Sequence, residues 1–248
     1  MVMSSTHRRA PAMRNRLLNL IKDNLKAEKK FEVRAEGDTA EIFLYDAIGD
    51  WYGIGAEQVA QALRDLQGRD VALRINSPGG DVFDGRAMAT AISQHKGKVT
   101  AYIDGLAASA ATYVALAADE VEIAGGAFFM IHNAWTLNMG NADDFRETAS
   151  LLDKVDDSIV ADYIRKTSQA DEQVRAWMKA ETWFSAEEAV EHGFVDRLSQ
   201  SKKAASNCWN LAAYNNAPAA LLAHTQQTPQ YDRARAERRL SLLERTAA

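Results

Sequence analysis

Apolar and polar positions along the chain alternate between two periods. "AEIFLYDAIG" (40–49) is a continuous apolar run that stops at a glycine turn, and it predicts a buried strand. "GAEQVAQALRDLQ" (55–67) carries its apolar residues at helical spacing. "DVALRINS" (70–77) predicts the next strand, "GRAMATAISQH" (85–95) a helix, and "KVTAYID" (98–104) a strand. "AASAATYVALAAD" (107–119) predicts a helix of small and apolar residues, and "EVEIAG" (120–125) and "AFFMIH" (127–132) are further strands. This alternation of strand and helix predicts an α/β core.

Residues 141–166 form a long helical pattern. "SAEEAVEHG" (185–193) predicts a capped helix, with Ser185 at the N-cap, Glu188 three positions on and Gly193 at the stop. The pattern divides the chain into four parts. Residues 1–38 are a basic leader, whose "MRNRLLNLIKDNL" could form an amphipathic helix with Leu17, Leu18, Ile21 and Leu25 on one face. Residues 39–198 are the main domain. Residues 199–230, rich in Ala, Asn, Gln and Ser, form a linker. Residues 231–248 are a basic helical tail, either solvated or in contact with another chain, and the 199–248 region is expected to be protease-sensitive.

Composition narrows the function. The 248 residues carry a formal net charge of −5, which gives no reason to expect nucleic-acid binding. Cys208 is the only cysteine, so an internal disulfide and a Cys-rich metal site are excluded, and a reducing cytoplasm suits the chain. No apolar run approaches the roughly 20 residues of a membrane span. The basic start lacks the apolar stretch and small-residue cleavage site of a secretory signal. No metal or cofactor site is expected; in particular, "INSPGGDVFDG" lacks the pattern of a phosphate loop.

Three features could carry chemistry. In "INSPGGDVFDG" (75–85) Pro78 stiffens a turn, and Gly79 and Gly80 free the backbone for close approach, although an ordinary strand-to-helix turn looks the same. Ser109, in "GLAASAA", falls near a helix start. There it is either a plain N-cap or a nucleophile beside unpaired amides that favour negative charge. His132 ends an apolar strand, where an imidazole is either a hydrogen-bonded rim residue or a base. Together they suggest a serine hydrolase: Ser109 as nucleophile, His132 as base, and the amides of the glycine turn and Ala110 as oxyanion donors. The acid is missing from this set.

"INSPGGDVFDG", "GLAASAA", "MIHNAW" and "WFSAEEAVEHGFVD", in this order, resemble the Clp protease proteolytic subunit (ClpP) family. Within it, the chain is similar to the phage-type head-maturation or prohead protease branch. The resemblance runs from about Ala40 to Leu198. It implies a ClpP/crotonase-like fold of stacked strand–strand–helix units, with the 141–166 helix as a projecting handle. It also implies a serine endopeptidase without an ATPase of its own, acting in a bacterial or phage-infected cytoplasm or within a procapsid. The partners it implies are copies of itself in a ring, with stacked heptamers as one arrangement, phage capsid or scaffold chains as substrates, and a separate AAA+ unfoldase. By the same resemblance Ser109 and His132 match the nucleophile and base, and Gly80 and Ala110 the oxyanion hole. Gly79, Asp81, Val82 and Asn133 fall on substrate-binding positions, and "GDVF" is an edge that would pair with the substrate backbone. The family's acid, eight residues before Ser185, falls on Trp177. Asp156 on the handle helix is the replacement favoured here, with Glu181 as the alternative; a weak or inactive ring component is the other reading of this departure.

Overall fold

The computed structural model describes Asn24, residues 30–199, 209–219 and 221–222. The leader helix over 13–25 and the 231–248 tail helix lie outside the described residues, except for Asn24. Among described residues 30–199, eight strands and six helices follow in order. They are β1 (Lys30–Glu36), β2 (Thr39–Tyr45), α1 (Ala56–Asp65), β3 (Asp70–Ser77), α2 (Val82–Ser93), β4 (Val99–Ala108), α3 (Ala110–Leu116), β5 (Glu120–Ile123), β6 (Phe128–Ile131), α4 (Ala142–Thr167), α5 (Asp171–Lys179), β7 (Thr182–Ser185), α6 (Ala186–Glu191) and β8 (Arg197–Leu198).

The sheet runs β1-β2-β3-β4-β5-β8, and β6 branches off β4 and carries β7. The neighbours from β2 to β5 are parallel, as their helical crossovers require. β1 and β7 pair antiparallel, with β2 and β6 respectively. β4 serves two neighbours in turn. Its residues Thr100–Ile103 pair with β5, and Leu106–Ala108 pair with β6. The small residues Gly105, Ala107 and Ala108 let the strand run on past the expected stop at 104 while a second strand closes in.

β6 is apolar on both faces. Phe129 and Ile131 enter the main core, with Ile75, Ile103, Val114 and Phe194. Met130 faces the other way, into a second cluster formed with Leu106, Ala108, Trp209, Leu211, Tyr214 and Leu221. Residues 209–222 therefore cover the second face of the branch sheet, where the sequence had suggested a linker. The reason is burial: Trp209 and Leu211 are fully enclosed there.

α4 starts on an Asn141 cap that accepts from the amides of Asp143 and Asp144, at 2.8 and 3.3 Å. Its buried positions are Asp156, Ile159, Val160 and Tyr163, all in its second half. The first half exposes Phe145 and Leu151, and the segment before it exposes Leu137 and Met139. The helix therefore projects, as the handle expectation requires. The capping box at α6 also forms: Ser185 Oγ accepts from the Glu188 amide, and Glu188 Oε2 accepts from the Ser185 amide.

Candidate active site

Ser109 stands between β4 and α3. Its amide donates to the Met130 carbonyl at 2.9 Å, which ties the end of β4 to β6. Its backbone sits at φ 52°, ψ −122°, a region L-residues rarely occupy, and its side chain makes no cap bond to the helix it precedes. The plain N-cap reading is therefore set aside. The strained turn is held from behind, where the Thr112 amide and hydroxyl both donate to the Ser109 carbonyl, at 2.9 and 2.6 Å. Thr112 Oγ1 also lies 2.6 Å from the buried Tyr163 hydroxyl on α4.

The hydroxyl turns instead towards β6. His132 directly follows that strand, and its Nε2 lies 2.7 Å from Ser109 Oγ. The residues after His132 are fixed by α4. Asp156 Oδ2 accepts from Asn133 Nδ2 at 2.6 Å, and Oδ1 accepts from the Ala134 amide at 2.7 Å. Burial raises the pKa of this carboxyl above the ordinary carboxylate range, while the bonds from Ala134 and Asn133 oppose the rise.

The glycine turn closes the other side. Gly79 is at φ 86° and Gly80 at φ 152°. A Cβ on Gly79 would lie 2.5 Å from the Ala108 carbonyl oxygen and 2.8 Å from Ser109 Cβ, so glycine is what allows the turn to lie against the serine. The Ile48 amide donates to the Gly79 carbonyl at 2.9 Å, and the Asp81 amide donates to the Ile48 carbonyl at 2.8 Å. In extended backbone the groups of alternate residues point to opposite edges, so the Gly80 amide faces away from Ile48. The Ala110 amide, at the first position of α3, has no intrahelical acceptor. Gly80 lines the same cleft as Ser109, and Ala110 follows Ser109 directly in the chain.

Other expectations fare differently. Asp81 and Val82 do line the cleft beside Ser109 and His132, together with Gly80, Trp135 and Val155. They are not a continuous extended edge, however. α2 begins at Val82, and Asp81 caps it by accepting from the Phe83 and Asp84 amides, at 2.8 and 2.9 Å. Of "GDVF", Val82 and Phe83 therefore belong to a helix and only Gly80 and Asp81 keep extended backbone. Asn133 turns its side chain to Asp156.

Trp177, where the sequence resemblance set the acid, packs with Phe184, His192 and Phe194 at ring separations of 5.3, 4.8 and 5.9 Å. Glu181 is buried, and its Oε1 accepts from the Asn216 amide at 2.7 Å. β6 and β7 pair Ile131 with Thr182, and one further step of that register sets Glu181 across from His132. The sequence reading did not find Tyr214, whose ring stands edge-on to His132 with centroids 5.5 Å apart. An aromatic pair, Trp209 and Tyr214, in a segment rich in Ala and Asn was the available signal. Among the described residues no cluster of three or more His, Cys, Asp or Glu could hold a metal, and no helix is long and apolar enough to cross a membrane.

Comparison with known proteins bears on the fold and the family. The chain is 28% identical over 176 residues to an ATP-dependent Clp protease proteolytic subunit 1 of Protochlamydia amoebophila, covering 66% of this chain and 82% of that one. It is 30% identical over 145 residues to the ATP-dependent Clp protease proteolytic subunit of Streptococcus pneumoniae, covering 52% and 68%. A solved ClpP1 mutant from Listeria monocytogenes superimposes with a TM-score of 0.58 at 23% identity, over 65% of this chain and 92% of that one, and so shares the fold. The Clp protease family model matches residues 33–202, more than half of the chain, and the chain belongs to the Clp protease family.

Proposed function

We propose that this chain is a serine endopeptidase in which Ser109 is the nucleophile and His132 its general base. The observation that carries this reading is the 2.7 Å approach of Ser109 Oγ to His132 Nε2 from a strained turn that spends no hydroxyl bond on capping. With the imidazole neutral, the hydroxyl donates to Nε2. Attack forms the Oγ–carbon bond as the proton passes to His132, and the carbonyl oxygen takes negative charge between the Gly80 and Ala110 amides. His132 then returns the proton to the departing amine as the carbon–nitrogen bond breaks, and water repeats the sequence to free the serine. Asp156 acts through the backbone, since its oxygens hold Asn133 and Ala134, the residues that fix where His132 sits.

The finer reading is cleavage of phage capsid or scaffold chains during head maturation, supported by the resemblance of the sequence motifs to that branch. A general proteolytic subunit fed by a separate AAA+ unfoldase is the second reading, favoured by the ATP-dependent relatives. Both readings place the chain in a self-assembled ring. Exposed Leu137, Met139, Phe145 and Leu151 on and before the projecting half of α4 supply apolar surface for contacts between copies.

A fluorophosphonate probe tests the chemistry. The wild type should label, and Ser109→Ala should not; absence of labelling in the wild type would sink the serine reading. Labelling of Asp156→Ala at the wild-type rate would remove Asp156 from the site. Co-expression with capsid and scaffold chains, with and without an unfoldase, separates the two substrate readings, and native mass spectrometry gives the ring size.

A further inference from the structure

The segment over 209–222 covers more than an apolar face. Tyr214 reaches both halves of the candidate site. Its ring edge meets the His132 imidazole at a 74° interplanar angle, and its other neighbour is Trp183, also at 5.5 Å between centroids. Its hydroxyl donates to the Pro78 carbonyl at 2.5 Å, one residue before the Gly79–Gly80 turn. Burial raises the pKa of this phenol, and the nearby Glu181 charge adds to the rise, so it remains a neutral donor.

The segment is fastened on both sides of this tyrosine. Asn216 donates its amide to Glu181 Oε1 and its side-chain Nδ2 to the Ala180 carbonyl, both at 2.7 Å. Asn210 exchanges two bonds with the buried Asn24 side chain, at 2.7 and 3.0 Å. Trp209, Leu211 and Leu221 sink into the cluster on Leu106, Ala108 and Met130. Leu106 and Ala108 lie on the strand that delivers Ser109, and Met130 on the strand that delivers His132.

We propose that Tyr214 is a positioning residue of the peptidase site, and that residues 209–222 form a strap that makes the site competent. The proposal rests on the serine-peptidase reading above. An imidazole that must aim Nε2 at a hydroxyl needs its ring plane fixed. Tyr214 limits the rotation of the ring by edge-to-face packing, and through Pro78 it holds the turn that presents the Gly80 amide. One side chain thereby couples the base to an oxyanion donor.

The test uses the full chain and the fluorophosphonate probe, whose inactivation rate and apparent affinity separate positioning from binding. Tyr214→Phe keeps the ring and loses the bond to Pro78, so the inactivation rate should fall about two- to tenfold, the range of one buried hydrogen bond. Tyr214→Leu removes both contacts and should lower the rate on the order of 100-fold, with apparent affinity within about twofold. Ile92→Ala, a core cavity at the far end of α2, is the stability control and should label at the wild-type rate well below its melting temperature. Equal rates in Tyr214→Leu and Ile92→Ala under those conditions would overturn the proposal. A second readout does not need activity. In the Ser109→Ala background, isotope-labelled histidine spectra should show the His132 titration moved by Tyr214→Leu and left in place by Tyr214→Phe. A wild type that never labels removes the peptidase reading, and a His132 titration unmoved by Tyr214→Leu removes the strap.

Discussion

Gly80→Ala is the most direct test of how the site is built. An added Cβ would stand 2.0 Å from the Ile48 carbonyl oxygen, at a residue whose φ is 152°. Ordinary contact begins above about 3 Å, so the turn must retreat by roughly 1 Å. Retreat breaks the pairing of Ile48 with Gly79 and Asp81, two bonds of 2.9 and 2.8 Å. Each is worth about 0.5–1.5 kcal/mol, and the unfavourable φ adds about 1–3 kcal/mol. The expected loss is about 2–6 kcal/mol, or roughly 4–24 °C in melting temperature for a domain of this size. The same displacement takes the Gly80 amide away from the carbonyl oxygen it should meet. Removing one such donor costs about 10²–10³ in rate. Labelling by the fluorophosphonate probe well below the new melting temperature should slow accordingly. Gly125→Ala serves as the reference, because nothing lies within 4 Å of its added Cβ and its φ is ordinary. If Gly80→Ala melts and labels like Gly125→Ala, the turn does not supply the oxyanion donor.

Three further outcomes are expected. Ser109→Gly should be more stable than Ser109→Ala by about 0.5–2 kcal/mol, because only glycine relaxes at φ 52°; equal melting temperatures would refute the strain. The Asp156 carboxyl is raised in the folded chain, so the fold binds its proton more readily than the unfolded chain does, and its contribution to stability falls as pH rises through the raised value. The melting deficit of Asp156→Asn should therefore shrink between about pH 4 and pH 7, and a deficit that grows with pH contradicts the assignment. Arg86→Ala should lower stability by about 1–2 kcal/mol in denaturant titrations, since Arg86 ties α2 to Asp162 and to Ser158 Oγ on α4. An unchanged midpoint would show that the tie contributes nothing.

The parallel core was legible because its strands are apolar runs and its helices have clear periods, and β3 matches its expected span residue for residue. β1 was not, because "KFEVRAE" alternates charge with apolar residues on an exposed edge and buries little. The end of β4 was misplaced because Gly105 and the alanines look like a helix start when read locally. They belong to a strand only because β6 and the 209–222 segment enclose them, and both are distant in sequence. Ser109 and His132 could be found from local pattern, each lying where an element ends. The bonds of Asp156 to Asn133 and Ala134, and the contact of Tyr214 with His132, depend on tertiary packing that no spacing rule encodes. The apolar character of both faces of "FFMI" was the one local hint that a second layer had to come from somewhere.

The exchange between Asn24 and Asn210 has a consequence for synthesis. It joins the first described residue of the chain to its last described segment, which packs on the strands that deliver the serine and histidine. A ribosome releases these groups in order. Tyr214 follows His132 by 82 residues (214 − 132), which takes roughly 4–16 s at 5–20 residues per second. For that interval a nascent chain holds its nucleophile and base without the strap that steadies them. If the proposed peptidase and strap roles hold, peptide-bond cleavage would be deferred until translation has passed the far end of the domain, a safeguard against self-digestion during synthesis.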